Sequence, residues 1–250
     1  MVKLGGSTLG AHDTSLRDIA DARRAGRQIV VVHGGGSTVS DWLARLGIEP
    51  KFVRGLRVTD AATLEVVVAV LAGVVNKQLV SQLIALGAEA VGLSGADASI
   101  LRAERYDAEL GFVGRITSVG ARQISSLLDA GYLPVVAPVA VASGSAQLLN
   151  ANADTAAGEI AAALGAKQLT FLTDVAAVLD ADHRAIRDLT AADARGLIES
   201  GVAAGGMIPK IEAAIRAATA GTSTRIIDGT QEGALARAIA GEKIGTTITA

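Results

Sequence analysis

The chain has 250 residues, a formal net charge of −2, four prolines and no cysteine. Without cysteine there are no disulfides, no thiolate catalysis and no cysteine-ligated zinc, and the small net charge gives no electrostatic basis for binding nucleic acid or an anionic membrane. With three scattered histidines and no targeting signal, we expect a soluble cytoplasmic protein without a metal site of its own.

Strand-like and helix-like segments alternate along the chain. Strands are predicted at residues 2–4, 28–32, 90–93, 133–141, 169–172 and 225–227, and helices at 18–25, 38–46 and 61–86, the last with Asp60 as its N-cap. Because the strands are continuous apolar runs between helices, they predict a parallel sheet covered on both faces, in an α/β, doubly wound fold.

Two segments depart from this rhythm. Residues 51–59 and 100–118 alternate between apolar and polar side chains and carry charge. This pattern predicts two antiparallel hairpins that protrude over a ligand site.

Lys3 lies in the first predicted strand, directly ahead of Gly5 and Gly6. A buried lysine needs an anion, and the carboxyl end of a strand is where α/β sheets bind ligands. The alternative is an exposed lysine on an edge strand.

A second glycine loop, Gly34, Gly35 and Gly36, follows the strand at 28–32 and precedes the helix at 38–46. Glycines let backbone N–H groups approach phosphate oxygens, and a helix N-terminus adds a favourable dipole. The loop matches neither the Walker A nor the dinucleotide-binding pattern, and an ordinary strand–helix turn is the alternative.

Three more segments carry polar groups. Arg57, in the first hairpin, is suited to hold a carboxylate, although a solvated hairpin charge is the more common case. Asn150 and Asn152 fall on one side of an extended segment that leads to Asp154 and a helix, where an Asx turn with a helix cap is the alternative.

Lys210 opens the helix predicted to run to about residue 220, with Pro209 in its first turn. A lysine there opposes the helix dipole, which makes sense if it faces a bound anion. A flexible surface lysine is the alternative.

In this order the motifs resemble those of the amino acid kinase superfamily, and within it the N-acetylglutamate kinases. The resemblance spans the chain and rests on VKLGGS, VVHGGGS, GLRVTD, NKQLV, GLSGAD, NANADTAAG, LTDVAAVLD and GGMIPK. It implies a three-layer sandwich with a central, mostly parallel sheet. It also implies an N-terminal lobe at residues 1–150, which binds the amino-acid substrate and dimerises, and an ATP-binding C-terminal lobe at 151–250 on the same continuous sheet.

The implied reaction is ATP-dependent phosphorylation of the side-chain carboxylate of N-acetyl-L-glutamate, which gives N-acetyl-L-glutamyl 5-phosphate in arginine biosynthesis. Matched to the family, Lys3 and Lys210 neutralise the moving phosphoryl group and Asp154 holds both lysines in place. A carboxylate acceptor is already ionised at pH 7, so the absence of a catalytic histidine is no obstacle. Mg²⁺ is expected mainly on the nucleotide phosphates.

The resemblance also assigns the binding residues. On the acceptor side are Gly34, Gly35, Gly36, Arg57, Asn150 and Asn152, with Arg57 on the α-carboxylate. On the nucleotide side are Gly5, Gly6, Thr173, Asp174, Val175, Gly206 and Met207.

One departure and several alternatives stay open. Arg54 stands where the family commonly has asparagine, which leaves open a kinase of carrier-protein-linked aminoadipate or glutamate. A catalytically silent regulatory protein of the same fold is a second alternative. A nicotinamide-dependent oxidoreductase is a third, and the absent G-x-G-x-x-G fingerprint argues against it. Because the chain begins at its first strand, we expect a homodimer insensitive to arginine.

Overall fold

The computed structural model describes residues 1–5 and 14–250. Gly6, assigned above to the nucleotide side, lies outside the described residues. Within them the helices are α1 Ser15–Arg24, α2 Gly36–Arg45, α3 Ala61–Val68, α4 Asn76–Ala85, α5 Ala121–Asp129, α6 Ala153–Leu164, α7 Ala191–Glu199, α8 Met207–Thr219 and α9 Ala234–Ile239. A π-helical segment, Ala69–Val75, joins α3 to α4, and a 3₁₀ turn covers Asp97–Ser99.

The strands of the same part of the chain include several that the sequence did not predict. They are β1 Val2–Leu4, β2 Val31–His33, β3 Phe52–Val53, β4 Leu56–Arg57, β5 Ala90–Ser94, β6 Leu101–Arg105, β7 Val113–Val119, β8 Leu133–Ala137, β9 Val139–Ala142, β10 Leu148–Ala151, β11 Gln168–Thr173, β12 Asp188–Thr190, β13 Ser223–Asp228 and β14 Thr246–Thr249.

The central sheet has the order β12-β14-β13-β11-β1-β2-β8-β5 and is parallel except for the β13–β14 pair. Successive strand residues alternate between two apolar clusters. Val31 belongs to the cluster that includes α1, α2, α3, α4 and α9, whereas Val32 belongs to the cluster that includes α6 and α8. Helices therefore cover both faces of the sheet. The predicted three-layer α/β architecture is confirmed, and β1, which carries Lys3, lies at the middle of the sheet.

Two strand predictions need correction. The strand predicted at 28–32 begins only at Val31 and ends at His33. The strand predicted at 133–141 is broken at Pro138, which has no N–H to donate to a ladder. After the break the chain leaves the central sheet, because β9 joins a closed four-stranded barrel with β6, β7 and β10.

Both predicted hairpins are antiparallel, and both contribute residues to the candidate ligand site. The β3–β4 hairpin turns at Arg54 and Gly55, whose φ angles are +50° and +77°. Two positive φ angles are typical of a type I′ turn, in which asparagine is favoured over arginine at the first position. The β6–β7 hairpin forms a wall of the barrel, and Val113, the first residue of β7, also lines the cavity described below.

The predicted long helix is one continuous element from Ala61 to Ala85, and Asp60 caps it by accepting from the N–H of Thr63 at 2.8 Å. By length and composition alone this helix could cross a membrane. The core helices of globular proteins meet the same two criteria. One series of buried side chains in this helix recurs every four residues: Thr63, Val67, Leu71, Val75, Leu79 and Leu83. Leu64, Val66, Val70 and Asn76, next to that series, are buried as well.

That four-residue spacing accounts for the π-helical segment. Four residues of α-helix rotate about 40° beyond a full turn, so the stripe would wander around the helix over five repeats. Hydrogen bonds from i to i+5 wind the backbone more slowly and bring the stripe back toward the core. The segment Ala69–Val75 thus keeps one face of a long helix buried.

Helices α6 and α8 cross in close contact at Gly158. A Cβ at Gly158 would lie 2.6 Å from the backbone oxygen of Ala213, which is closer than real Cβ atoms come. Because α6 carries Asp154 and α8 carries Lys210, this crossing sets the distance between those two side chains.

We expect Gly158→Ala to destabilise the protein by about 1–3 kcal/mol, because the new methyl group forces the two helices apart. Gly196, in α7, is the matched control, since a Cβ there meets nothing within 4 Å. Gly196→Ala should stabilise by up to about 1 kcal/mol through helix propensity. Urea unfolding of both variants checks this, and equal stabilisation by both would show that the crossing tolerates a methyl group.

Candidate active site

A cavity of about 230 Å³ opens where β1, β2 and β10 end. Its wall combines the residues that the sequence singled out on four separate segments: Lys3, Gly34, Gly35, Gly36, Arg57, Asn150, Asn152 and Asp154. Carboxyl ends of adjacent parallel strands are the usual ligand position in open α/β sheets. The predicted acceptor-side residues therefore meet at one place in the fold.

Asp154 forms ion pairs with two lysines from opposite ends of the sequence. Its Oδ1 lies 2.8 Å from Lys3 Nζ and 3.2 Å from Lys210 Nζ, and its Oδ2 lies 3.3 Å from Lys210 Nζ. All three side chains are buried, with at most 9% of each residue exposed. Lys3 and Asp154 line the cavity, whereas Lys210 contacts Asp154 without lining it. Two ammonium groups on one carboxylate leave a net positive charge beside the cavity, which is suited to an anion.

The start of α6 fixes the carboxylate. Asn152 is the N-cap, and its Oδ1 accepts hydrogen bonds from the N–H groups of Asp154 and Thr155 at 2.9 and 3.0 Å. Burial by itself would raise the pKa of Asp154, but the charges of Lys3 and Lys210 outweigh burial and hold that pKa below its usual range. Asp154 is therefore an ionised anchor for the lysines.

Lys210 occupies the first turn of α8, as predicted, with Pro209 just ahead of it. Burial lowers the pKa of Lys210, while the neighbouring carboxylate of Asp154 raises it and Lys3 lowers it further. Its ammonium group also lies 5.8 Å from the ring centroid of Phe171. A buried cation whose surroundings do not fully compensate its charge gains free energy when an additional anion approaches.

The glycine loop Gly34–Gly36 leads into α2. Gly35 has φ +145°, a conformation open to glycine, and a Cβ there would lie 2.8 Å from Leu71. Within the described residues, the N–H groups of Gly35 and Gly36 have no hydrogen-bond acceptor, because Gly35 is the N-cap of α2 and Gly36 its first residue. They are available for an anionic ligand.

Arg57, at the end of β4, lies against the same loop. Its Nη2 donates to the carbonyl of Gly36 and to Ser40 Oγ, each at 2.8 Å, and its guanidinium group lies 4.7 Å from the ring centroid of Phe52. Its other terminal nitrogen, Nη1, is buried and has no partner in the described part of the chain. A buried guanidinium nitrogen without an acceptor suits a ligand carboxylate.

The two asparagines have different surroundings. Asn150 donates from Nδ2 to Thr59 Oγ1 at 3.0 Å, so its amide is fixed by a fully buried threonine. Asn152 uses Oδ1 as the cap of α6, so the alternative of an Asx turn with a helix cap holds for this residue. Both still line the cavity, each with one amide atom that is free of these contacts.

The predicted nucleotide-side residues do not line this cavity. Thr173, Asp174 and Val175 follow the carboxyl end of β11, where Thr173 Oγ1 accepts from the N–H of Val175 at 2.9 Å. Gly206 and Met207 form the start of α8. Gly5 donates its N–H to the carbonyl of Leu172 at 3.1 Å. Except for Gly5, which follows β1, these residues belong to the second half of the chain, and burial lowers the pKa of Lys210 while the charge of Asp174 raises it.

Sequence reasoning missed several supporting residues. Ser40 and Thr59 hold Arg57 and Asn150 in place, and Phe52 forms a wall of the cavity. Phe52 lies opposite Arg57 in the hairpin, so the antiparallel hairpin predicted at residues 51–59 is the one signal that pointed to it. Arg54 itself points away from the cavity and pairs with Asp107 at 3.1 Å.

Two negative findings bound the site. In residues 1–5 and 14–250 there is no group of three or more His, Asp or Glu side chains placed to hold a metal ion. A larger cavity, of about 720 Å³, lies at the amino ends of β1, β2 and β11 and contains none of the predicted site residues.

Asp154→Asn should destabilise the protein by about 3–5 kcal/mol near pH 7, because it leaves two buried ammonium groups without a counter-ion. The carboxyl pKa is lower in the folded than in the unfolded protein, so its stabilising effect is complete above the unfolded value, about 4, and disappears as pH falls through the folded value. Urea unfolding of both proteins should therefore show a constant difference from pH 7 to about 5 that shrinks at lower pH. A difference that grows on acidification would contradict this assignment.

The amino acid kinase family model matches residues 1–228. An acetylglutamate kinase from Dehalococcoides mccartyi is 46% identical over 254 residues, which cover 100% of this chain and 93% of that protein. An acetylglutamate kinase from Solibacter usitatus is 47% identical over 250 residues, covering 98% of this chain and 97% of that protein.

Solved structures agree. The crystal structure of smu.665 from Streptococcus mutans UA159 matches with a TM-score of 0.86 at 29% identity, covering 99% of this chain and 97% of that chain. N-acetylglutamate synthase from Neisseria gonorrhoeae, complexed with coenzyme A and N-acetyl-glutamate, matches with a TM-score of 0.86 at 26% identity, covering 100% of this chain and 58% of that chain. The resemblance inferred from the motifs is confirmed, and the chain belongs to the amino acid kinase family.

Proposed function

We propose that this protein transfers the γ-phosphoryl group of ATP to the side-chain carboxylate of N-acetyl-L-glutamate. The observation that carries the proposal is the buried Nη1 of Arg57, which has no partner among the described residues and shares a cavity with Lys3 and Asp154. Asp154 in turn forms an ion pair with Lys210. A site for one carboxylate thus lies beside a site for a phosphoryl group. The relatives with 46% and 47% identity, which are named acetylglutamate kinases, support the same reaction.

Arg57 binds the α-carboxylate in this proposal. Its Nη2 is already held by Gly36 and Ser40, so the guanidinium plane is fixed before substrate arrives and little side-chain entropy remains to be lost. The free amide atoms of Asn150 and Asn152 face the remaining polar groups of the acceptor, on the same cavity wall.

The side-chain carboxylate attacks the γ-phosphorus of ATP. A bond forms between a carboxylate oxygen and phosphorus, the bond from phosphorus to the β,γ-bridging oxygen breaks, and ADP leaves with that electron pair. No proton is removed from the acceptor, because a carboxylate is ionised at neutral pH. The reaction therefore needs alignment and charge compensation more than acid–base catalysis.

Lys3 and Lys210 supply that compensation. Lys3 comes from the middle of the sheet and Lys210 from the first turn of α8, and Asp154 keeps their ammonium groups together despite their mutual repulsion. The N–H groups of Gly35 and Gly36 face the same oxygens at the N-terminus of α2. Both oxygens of Asp154 lie on ammonium groups, so this carboxylate is an anchor and not a general base.

The nucleotide lies across the carboxyl ends of β11 and β13 in this proposal, along Gly5, Thr173, Asp174, Val175, Gly206 and Met207. Mg²⁺ bound to the nucleotide phosphates would neutralise part of their charge. Residues 1–150 then form the lobe for the amino acid and for dimerisation, and 151–250 form the lobe for ATP. We propose a cytoplasmic homodimer.

Release of ADP is the direct test. N-acetyl-L-glutamate should support ADP release, and glutamate, aspartate and N-acetyl-aminoadipate should support it at least about 10-fold less well, since one misplaced group or methylene costs that much. A preference for the aminoadipate derivative would favour the carrier-linked alternative. If none of the four acceptors supported ADP release, the proposed function would be wrong.

Arg57→Ala should raise KM for N-acetylglutamate by about 10- to 100-fold and change KM for ATP little, because loss of a charge-assisted pair costs about 1.5–3 kcal/mol. Steady-state kinetics with each substrate varied in turn measure both constants. Arg54→Asn is the matched control, since Arg54 lies on the same hairpin but points away from the cavity. Equal effects of Arg57→Ala on both substrates would remove the carboxylate-binding role.

A further inference from the structure

The glycine loop Gly34–Gly36 rests on a buried polar bridge that the reaction described above does not use. The bridge consists of His33, the last residue of β2, and Asn76, the first residue of α4. Both side chains are 0% exposed. Buried polar groups with several hydrogen bonds cost stability to remove and fix the geometry around them.

The contacts define which nitrogen of His33 carries the proton. Nδ1 lies 2.8 Å from the carbonyl oxygen of Gly34, and Nε2 lies 3.1 Å from Nδ2 of Asn76. A carbonyl only accepts, so Nδ1 must donate. An amide nitrogen only donates, so Nε2 must accept, and the imidazole is the neutral Nδ1–H tautomer.

Asn76 is itself held in a single orientation. Its Nδ2 also donates to the carbonyl of Val135 at 2.9 Å, and its Oδ1 accepts from Lys77 Nζ at 3.0 Å. The facing position in β5, Gly92, has to be glycine, because a Cβ there would lie 2.1 Å from Asn76 Oδ1. The amide is therefore fixed from three directions at the point where the π-helical segment ends.

The bridge controls a peptide plane in the site. In a planar trans peptide the carbonyl of Gly34 and the N–H of Gly35 point in opposite directions. Since Nδ1 of His33 holds that carbonyl on one side, it turns the Gly35 N–H to the other. Gly35 lines the cavity with Lys3 and Asp154, and its N–H has no recorded acceptor in the part of the chain that the structure describes.

We propose that His33 and Asn76 are positioning residues, which hold the Gly34–Gly35 peptide so that the Gly35 N–H faces an oxygen of the phosphoryl group in transfer. The assignment rests on the proposed function. The bridge stays intact over the working pH range, because burial lowers the pKa of His33 to about 4 and the neighbouring charges of Lys3 and Lys77 lower it as well.

Two substitutions separate the two halves of the bridge. His33→Asn places an amide donor near the position of Nδ1, within reach of Gly34, and loses the contact to Asn76. His33→Gln places a polar group near the position of Nε2, keeps that contact and loses the one to Gly34. We expect kcat to fall at most about 3-fold in His33→Asn and about 10- to 100-fold in His33→Gln, as for a misplaced oxyanion donor. KM for ATP should change less than about 3-fold in both variants.

Thr224→Val is the matched control, because it removes a fully buried hydrogen bond, from Thr224 Oγ1 to the carbonyl of Ile248, on β13 away from the cavity. It should lower stability and leave kcat unchanged. Equal kcat in His33→Asn and His33→Gln, or activity that follows thermal stability in all three variants, would overturn the positioning role.

A measurement on the wild-type protein decides the matter if the variants do not fold. The ¹⁵N spectrum of the imidazole should show His33 as the Nδ1–H tautomer, without titration between pH 6 and 8. An Nε2–H tautomer, or titration near the ordinary pKa of histidine, about 6.5, would overturn the bridge. The spectrum does not depend on turnover, so the bridge can survive or fail independently of the acceptor that the kinase uses.

Discussion

Two ammonium groups and one carboxylate share a buried volume at the centre of this fold, and their balance governs the rest of the site. Any one of these charges alone would be costly to bury, and the trio is tolerated because each oxygen of Asp154 contacts an ammonium group. The trio still carries net positive charge. It is therefore suited to an anionic ligand, and the phosphoryl group of the proposed reaction is such an anion.

The rest of the fold places these three charges. Lys3 comes from the middle strand of the sheet, Asp154 from the capped start of α6, and Lys210 from the first turn of α8. Small residues at close contacts set their distances: Gly158 lets α6 and α8 approach, and Gly35 lets the loop lie on the long helix. Stability and chemistry thus depend on the same few positions.

Much of this arrangement could be predicted from the sequence, because it is local. Glycine loops after apolar strands, Asp60 ahead of a helix and Lys210 in a first turn are patterns within a few residues. The barrel, the break at Pro138 and the bridge between His33 and Asn76 depend on which strands pair, and that pairing joins residues far apart in the chain. The π-helical segment was not predicted either, because the sequence pattern there is that of one continuous apolar helix.

The central claim is that Asp154 acts through the two lysines and takes no proton from the acceptor. The dependence of kcat on pH, measured in the wild type and in Asp154→Asn, tests it most directly. The account predicts a lower kcat in the variant and the same shape of profile in both proteins. A limb on the acid side of the wild-type profile that disappears in Asp154→Asn would identify the carboxylate as a general base and contradict the account.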